Sequence, residues 1–260
     1  MTNKRPFAVF DVETNGFKGA STVSASSVVF TEEGEILDFF NRFYHSEERP
    51  DPRTEAVHGL TPRRLTHFRS EEEYPSHFLD DWPSLAAFWD RWNPEGIAVH
   101  NLSFDISFLP REAVRGRKWW CSMRGLTDFC QLPKTSNRGS GEWKWPRLGE
   151  AVLAAKERLP VPLPLSEAES AAGMPLKHYG LSDCFELYGL FVRIWNSLPQ
   201  YVHFRPASAI LLPPRRETYP IPDALCDEFV ALRLEYSARI AEIAGLEARA
   251  RRLYALSSFE

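Results

Sequence analysis

Three apolar, β-rich runs follow one another within the first 43 residues: 6–12 (PFAVFDV), 21–30 (STVSASSVVF) and 34–43 (GEILDFFNRF). Thr31-Glu32-Glu33-Gly34, between the second and third, suits a hairpin turn. Strands joined so closely pair antiparallel, so the chain opens as a meander. The pattern then changes. Thr61-Pro62 supplies an N-cap and a proline at the first helical position. Ser84 to Trp92 has helical spacing, with Leu85, Phe88 and Trp92 on one side. Residues 96–100 (GIAVH) read as a short buried strand, followed by a helix from Ser103, and Trp119 to Met123 as a fifth strand. Helices are expected over 147–158 and 181–197, with a Pro-containing connection at 159–176 and a Ser/Gly/Asn-rich loop at 133–144. Strands first, then alternating helix and strand, imply a mixed α/β sheet with its later strands parallel and helices on its faces.

A composition shift begins near Leu198. Residues 199–222 contain six prolines and read as a linker or wrapping segment. Residues 223–254 read as one long amphipathic helix, with Leu225, Phe229, Leu232, Tyr236, Ile243 and Leu246 near a 3–4 spacing. Glu235 with Arg239 and Glu247 with Arg251 are favourable i,i+4 pairs. The expected organisation is therefore a domain over 1–198 and an extension over 199–260. That last helix is a candidate surface for a protein partner or a homodimer, or it packs on its own domain.

A chain of 260 residues with 43% hydrophobic content can bury a core without disulfide or metal staples. The cysteines Cys121, Cys130, Cys184 and Cys226 form no CxxC pair. They read as reduced thiols of a cytoplasmic protein. The N-terminus lacks a secretory pattern, and no apolar stretch is long enough to span a bilayer, so no membrane partner is expected. The net charge of −4 does not advertise a nucleic-acid binder. It does not exclude one, because a metal-loaded acidic pocket binds phosphates locally.

Asp11 and Glu13 carry the chemistry. At i and i+2 they share one face of the first strand. Two unit charges about 4 Å apart repel by roughly 4 kcal/mol at an effective dielectric near 20. Fold stability gives no reason for such a pair; a bound Mg2+, which takes carboxylate oxygens, does. Two further segments join them. His100-Asn101-Leu102-Ser103-Phe104-Asp105 follows a buried strand and opens a helix that Ser103 can cap, with Asp105 in its first turn. His178-Tyr179-Gly180-Leu181-Ser182-Asp183 places His178 in a loop and Asp183 near a helix start, since five residues do not return to one helical face.

Together these residues resemble the DEDDh 3'–5' exonucleases, the family of the proofreading subunit of DNA polymerase III, ribonuclease T and oligoribonuclease. Phe10 to Gly16 (FDVETNG) resembles the first motif, His100 to Leu109 (HNLSFDISFL) the second, and His178-x4-Asp183 the third. Glu55 to Thr61 (EAVHGLT) resembles the family's histidine–glycine turn. The motifs stand in order and span residues 7–197. Tyr179-x3-Asp183 also fits the third motif of the sister DEDDy group, so His178 and Tyr179 compete for one role. Ser24, Ser26 and Ser27 stand where members often carry an acidic residue.

The resemblance implies a ribonuclease H-like, mixed five-stranded sheet flanked by helices. It implies two divalent ions, Mg2+ or substituting Mn2+, held by Asp11, Glu13, Asp105 and Asp183, with His178 as general base. It also implies action on single-stranded DNA or RNA 3' ends, with DNA favoured. Thr14, Asn15, Gly16, His58, Asn101, Phe104 and Phe108 are the candidate substrate contacts; the two phenylalanines equally suit a core, and His58 a structural turn. Arg111, Arg115, Arg117 and Lys118 beside Trp119-Trp120, and Lys134, Arg138 and Lys144 near Trp143 and Trp145, suit single-stranded nucleic acid or a solvated face. Two other readings remain at this level: a non-catalytic nucleic-acid-binding scaffold, and an RNase H-type endonuclease.

Overall fold

The computed structural model describes residues 5–17, 19–134, 142–159 and 179–211, together with Glu235 and Arg239. His178, the connection expected over 159–176 apart from Leu159, and most of the helix expected over 223–254 lie outside the described residues. Glu235 and Arg239 are helical and paired at 3.2 Å, as their spacing predicts.

The sheet is built from β1 (Pro6–Thr14), β2 (Thr22–Thr31), β3 (Ile36–Phe43), β4 (Ile97–Val99), β5 (Lys118–Cys121) and β6 (Arg205–Pro206), in the spatial order β3-β2-β1-β4-β5-β6. The meander β1–β2–β3 is antiparallel; β4 and β5 add in parallel to β1, and β6 closes the far edge antiparallel. The hairpin between β2 and β3 forms as expected. Gly34, at φ +92, takes the left-handed backbone the turn needs, and its N–H donates to the Thr31 carbonyl at 2.9 Å.

Helices α1 (Pro52–His58), α2 (Pro62–Phe68) and α3 (Phe78–Trp92) connect the meander to β4; α4 (Leu102–Asp105) and α5 (Arg111–Val114) connect β4 to β5. Then come α6 (Ser122–Gly125), α7 (Thr127–Cys130), α8 (Leu148–Arg158) and α9 (Gly180–Ser197). Thr61 caps α2 as expected, its hydroxyl accepting from the Arg64 N–H at 3.3 Å.

The strand period of two sorts the core into two layers. Phe7, Val9, Val28 and Phe30 pack with α8 and α9, while Ala8, Phe10, Val12 and Val29 pack with α3 and Trp89. Asp11 and Glu13 continue the row begun by Phe7 and Val9. The acidic pair therefore faces the side of the sheet covered by α9, and Ser26 and Ser24 are its cross-strand partners on β2.

The sheet has six strands where five were expected. The sixth, two residues long, pairs Arg205 with Trp119 and Pro206 with Lys118. The chain stays on the sheet well past Ser197: Val202 and Ala207 are buried, Phe204 stacks on Phe7 with centroids 5.6 Å apart, and the Trp120 indole donates to the Tyr201 carbonyl at 3.0 Å. Phe204 fills the space beside Gly96, where a Cβ would come within 2.1 Å of its ring. This proline-containing segment thus wraps the edge that β5 leaves open. Among the described residues, no helix is long and apolar enough to cross a membrane.

Candidate metal centre

Asp11 and Glu13 leave the end of β1, and Asp183 comes down from the first turn of α9. One carboxylate oxygen from each lies within 4.8 Å of the others. Gly180 eases this approach. A Cβ there would stand 3.0 Å from Ser26 Oγ and 3.4 Å from both Asp11 Oδ2 and Ser24 Oγ, so the glycine spares the helix start a tight contact over the acids. Tyr179 is the N-cap, and the Asp183 N–H donates to its carbonyl at 3.1 Å.

Asp105 arrives by another route. β4 ends at Val99, so β1 runs on beyond its parallel neighbour. The Val12 N–H, buried and beyond the reach of β4, is taken up by Asp105 Oδ1 at 3.3 Å. The turn that delivers it is not capped by Ser103, as expected from sequence. Asn101 holds the N-cap position without a side-chain cap bond, its carbonyl accepts from the Phe104 and Asp105 N–H groups, and Ser103 donates to Asn101 Oδ1 at 3.3 Å. His100 anchors the same turn, with Nδ1 2.9 Å from Ser122 Oγ and Nε2 3.0 Å from the Pro146 carbonyl.

The four acids are electrostatically one group. Burial holds the Asp11 carboxyl well above the usual range, and Asp105, Glu13 and Asp183 push it further. Burial, then Asp183 and Asp105, does the same to Glu13. Asp105 is pushed up to about 7, chiefly by burial, against the lowering effect of the Val12 N–H. Asp11 Oδ2 is sealed from solvent and accepts no hydrogen bond, and Ser24 Oγ beside it is likewise unpartnered. An all-carboxylate donor set, crowded and with the Asp11 Oδ2 lone pairs unclaimed, fits a hard divalent cation.

The expected substrate contacts divide. Thr14 is buried, its hydroxyl donating to the Gly16 carbonyl at 2.7 Å. Asn15, expected to touch substrate, has its whole side-chain amide engaged inside the protein: Nδ2 donates to Glu48 Oε1 and the Arg49 carbonyl, and Oδ1 accepts from the Asp51 N–H. His58 is buried; Nδ1 accepts from the Leu60 N–H at 2.9 Å, while Nε2 makes no hydrogen bond and faces the Thr14 backbone. Gly59 ends α1 in the left-handed conformation, φ +69, which explains the glycine of that turn.

Phe104 is half-buried and Phe108 buried, their centroids 5.0 Å apart. Sequence reasoning missed Phe17. It is 83% exposed and meets Phe104 edge-on at 6.5 Å, extending an aromatic row from the core to the surface beside the acids. Its position directly after FDVETNG was the available signal. Tyr179, the rival of His178, is buried against Phe43 and Phe68, and its hydroxyl accepts from Asn41 Nδ2 at 3.1 Å. Asn41 Oδ1 in turn accepts from Ser26 Oγ at 2.9 Å. The run Arg115 to Lys118 enters β5 at the end of the sheet opposite the acids, and Trp119 and Trp120 are core. Arg117 there is bound to the Ala113 and Ala86 carbonyls and to Asp90.

No family model and no curated protein sequence matches this chain. Solved structures do. A 3'-exonuclease described in 3'-end-specific recognition of a histone mRNA stem-loop superposes with TM-score 0.53 at 11% identity, over 85% of this chain and 95% of that one. An exonuclease I structure gives 0.51 at 14% identity, over 76% of this chain and 42% of that one. A full-length 3'-exonuclease gives 0.51 at 12%, over 77% and 63%. At such identities the likeness speaks to architecture, and the architecture is the ribonuclease H-like fold on which these 3'-exonucleases are built.

Proposed function

We propose that this protein is a metal-dependent 3'–5' exonuclease that hydrolyses phosphodiester bonds at the 3' end of single-stranded nucleic acid, DNA favoured. The observation that carries the reading is the convergence of Asp11, Glu13 and Asp183 within 4.8 Å around a sealed, unpartnered oxygen of Asp11. On this reading Asp11, Glu13, Asp105 and Asp183 hold two Mg2+ ions, for which Mn2+ substitutes. The ions would activate the attacking water and neutralise charge on the phosphate. Val12 orients Asp105 through its backbone N–H, and Gly180 leaves room beside Asp11 for the start of the helix that carries Asp183.

His178 is the general base. It immediately precedes the N-cap residue of the helix that carries Asp183, and its imidazole takes the proton of the attacking water. As water oxygen bonds to phosphorus, the bond from phosphorus to the 3'-oxygen breaks and that oxygen is protonated. Tyr179 is an anchor on this reading, because its hydroxyl is committed to Asn41 within an aromatic cluster. Phe17 and Phe104 take the terminal bases by stacking, which tolerates any base. The catalytic unit comprises residues 1–198 together with the edge-wrapping segment that follows.

The test is direct. Purified protein should shorten 5'-labelled single-stranded oligonucleotides in Mg2+ and stop in EDTA. A panel of single-stranded DNA, duplex with a mismatched 3' end, and short RNA ranks the substrates. Cleavage of a circular single strand would instead make the protein an endonuclease. Metal-independent binding without hydrolysis would make it a scaffold.

A further inference from the structure

Glu48 lies between β3 and α1, 35 residues beyond Glu13 in sequence. Its carboxylate gathers the two ends of the turn that follows the acidic pair. Oε1 accepts from Asn15 Nδ2 at 2.9 Å and from the Ser21 N–H at 2.8 Å; Oε2 accepts from the Ser21 hydroxyl at 2.6 Å. Asn15 completes the clasp through the Arg49 carbonyl at 3.0 Å and the Asp51 N–H at 2.8 Å. Ser21 Oγ accepts from the Glu47 N–H at 3.0 Å, and the turn closes with the Asn15 N–H on the Ser21 carbonyl at 2.9 Å. Between these two fastened ends stands Phe17, exposed, with its ring against Phe104.

A carboxylate bound to Asn15, two residues along from Glu13, gives a polyanionic ligand no electrostatic help; it repels it. Its value is geometric. A stacking surface that is already fixed spends no binding free energy on ordering a loop. We propose that Glu48 is a positioning residue for the 3'-terminal nucleobase: by clasping Asn15 and Ser21, it holds Phe17 against Phe104 as a preformed stacking ledge. The inference rests on the nuclease reading above.

Two predictions of opposite sign separate position from charge. Glu48→Ala removes all three acceptor contacts; Glu48→Gln removes the charge, keeps one acceptor oxygen for Asn15 Nδ2 and the Ser21 N–H, and turns the third contact round, with the amide donating to the Ser21 hydroxyl oxygen. Binding of a fluorescent single-stranded oligonucleotide is measured in Ca2+, and turnover in Mg2+ on the oligonucleotide and on bis(p-nitrophenyl) phosphate, a small phosphodiester with no nucleobase to stack. Glu48→Ala should raise the oligonucleotide Kd and KM about tenfold, as loss of one ordered stack would, and leave turnover of the small ester unchanged. Glu48→Gln should bind as the wild type or tighter. Asn15→Ala, which keeps the Glu48 charge, should follow Glu48→Ala. In a Phe17→Ala background Glu48→Ala should add little, because the two act as one unit.

Unchanged binding in folded Glu48→Ala, a parallel shift in Glu48→Gln, or additivity with Phe17→Ala would each overturn the proposal. Should Glu48→Ala fail to fold by melting, Asn15→Ala and the Phe17 cycle carry the test. A wild type that neither binds nor hydrolyses would sink the nuclease reading itself. A wild type that does both beside an indifferent Glu48→Ala would sink only this inference.

Discussion

Asp81, on α3, accepts four hydrogen bonds: two from Arg42 Nη1 at 2.8 and 2.7 Å, one from the Tyr44 hydroxyl at 2.9 Å and one from Ser84 at 2.8 Å. Asp11, at the exit of β1, has one oxygen sealed from solvent with no donor at all, and three other carboxylates push on it. Both are acids taken out of water. The first is compensated inside the chain, and Arg42 is further held over the Tyr74 ring at 4.6 Å. The second is compensated by nothing the described residues supply. An acid buried for structure comes with its cation and donors; an acid buried for function keeps its lone pairs open for something that arrives later.

Breaking the open end of that comparison should cost activity. Asp11→Asn keeps the shape and removes the charge, and hydrolysis is expected to fall by about a hundredfold to a thousandfold, the scale for losing one electrostatic group of a catalytic site. Its metal-free melting temperature should hold or rise, because one repelling carboxylate is gone. An initial rate within a few-fold of wild type would end the assignment. Breaking the closed end should cost stability. Asp81→Ala strands Arg42 and the Tyr44 hydroxyl, and urea unfolding should show a loss of about 3 kcal/mol, the low end for severing a buried pair because Arg42 is 30% exposed. Its turnover per folded molecule should survive; loss of both together would mean that Asp81 belongs to the site.

The pH dependence sharpens the same contrast. Asp11, Glu13 and Asp105 have raised folded-state pKa values, with Asp105 at about 7. Between about pH 4 and about pH 7 the metal-free folded chain therefore binds more protons than the unfolded one, and unfolding free energy falls as pH rises across that window. The metal-free melting temperature is expected to drop by several degrees from about pH 5 to about pH 8, and Mg2+ to restore more at the higher pH. Equal Mg2+ stabilisation at both would contradict a carboxylate centre. The smallest effect is expected at Tyr179. Tyr179→Phe forfeits the Asn41 bond, about 1 kcal/mol of stability, and hydrolysis should stay within a few-fold. His178→Ala should cost about a hundredfold or more in rate. Reversed outcomes would move the general base to Tyr179.

Much of this was legible in the chain. The period of two put Asp11 and Glu13 on one face, Gly34 and Gly59 marked turns that need positive φ, and HNLSFD read as a strand-to-helix turn bearing an acid. What was misread was misread for identifiable reasons. β6 is two residues long, too short for any alternation to register. Ser103 has the right chemistry for a cap, but Asn101 occupies the position. The partners of the Asn15 side chain, Glu48, Arg49 and Asp51, lie more than thirty residues away, where local pattern says nothing. The basic run beside Trp119 suited a binding face and a solvated one alike, and only strand direction places it at the end of the sheet opposite the acids.

The sequence by itself determined which residues are acids, which strand face they share and in what order the elements come, because those follow from spacing and local sterics. The tertiary structure alone decided which acids are neutralised. Asp81 meets Arg42 across 39 residues, Asp105 finds the Val12 N–H across 93, and Asp183 comes within 4.8 Å of Asp11 from a helix far along the chain. Compensation of a buried charge is a matter of distance in space, and only the folded sheet sets those distances.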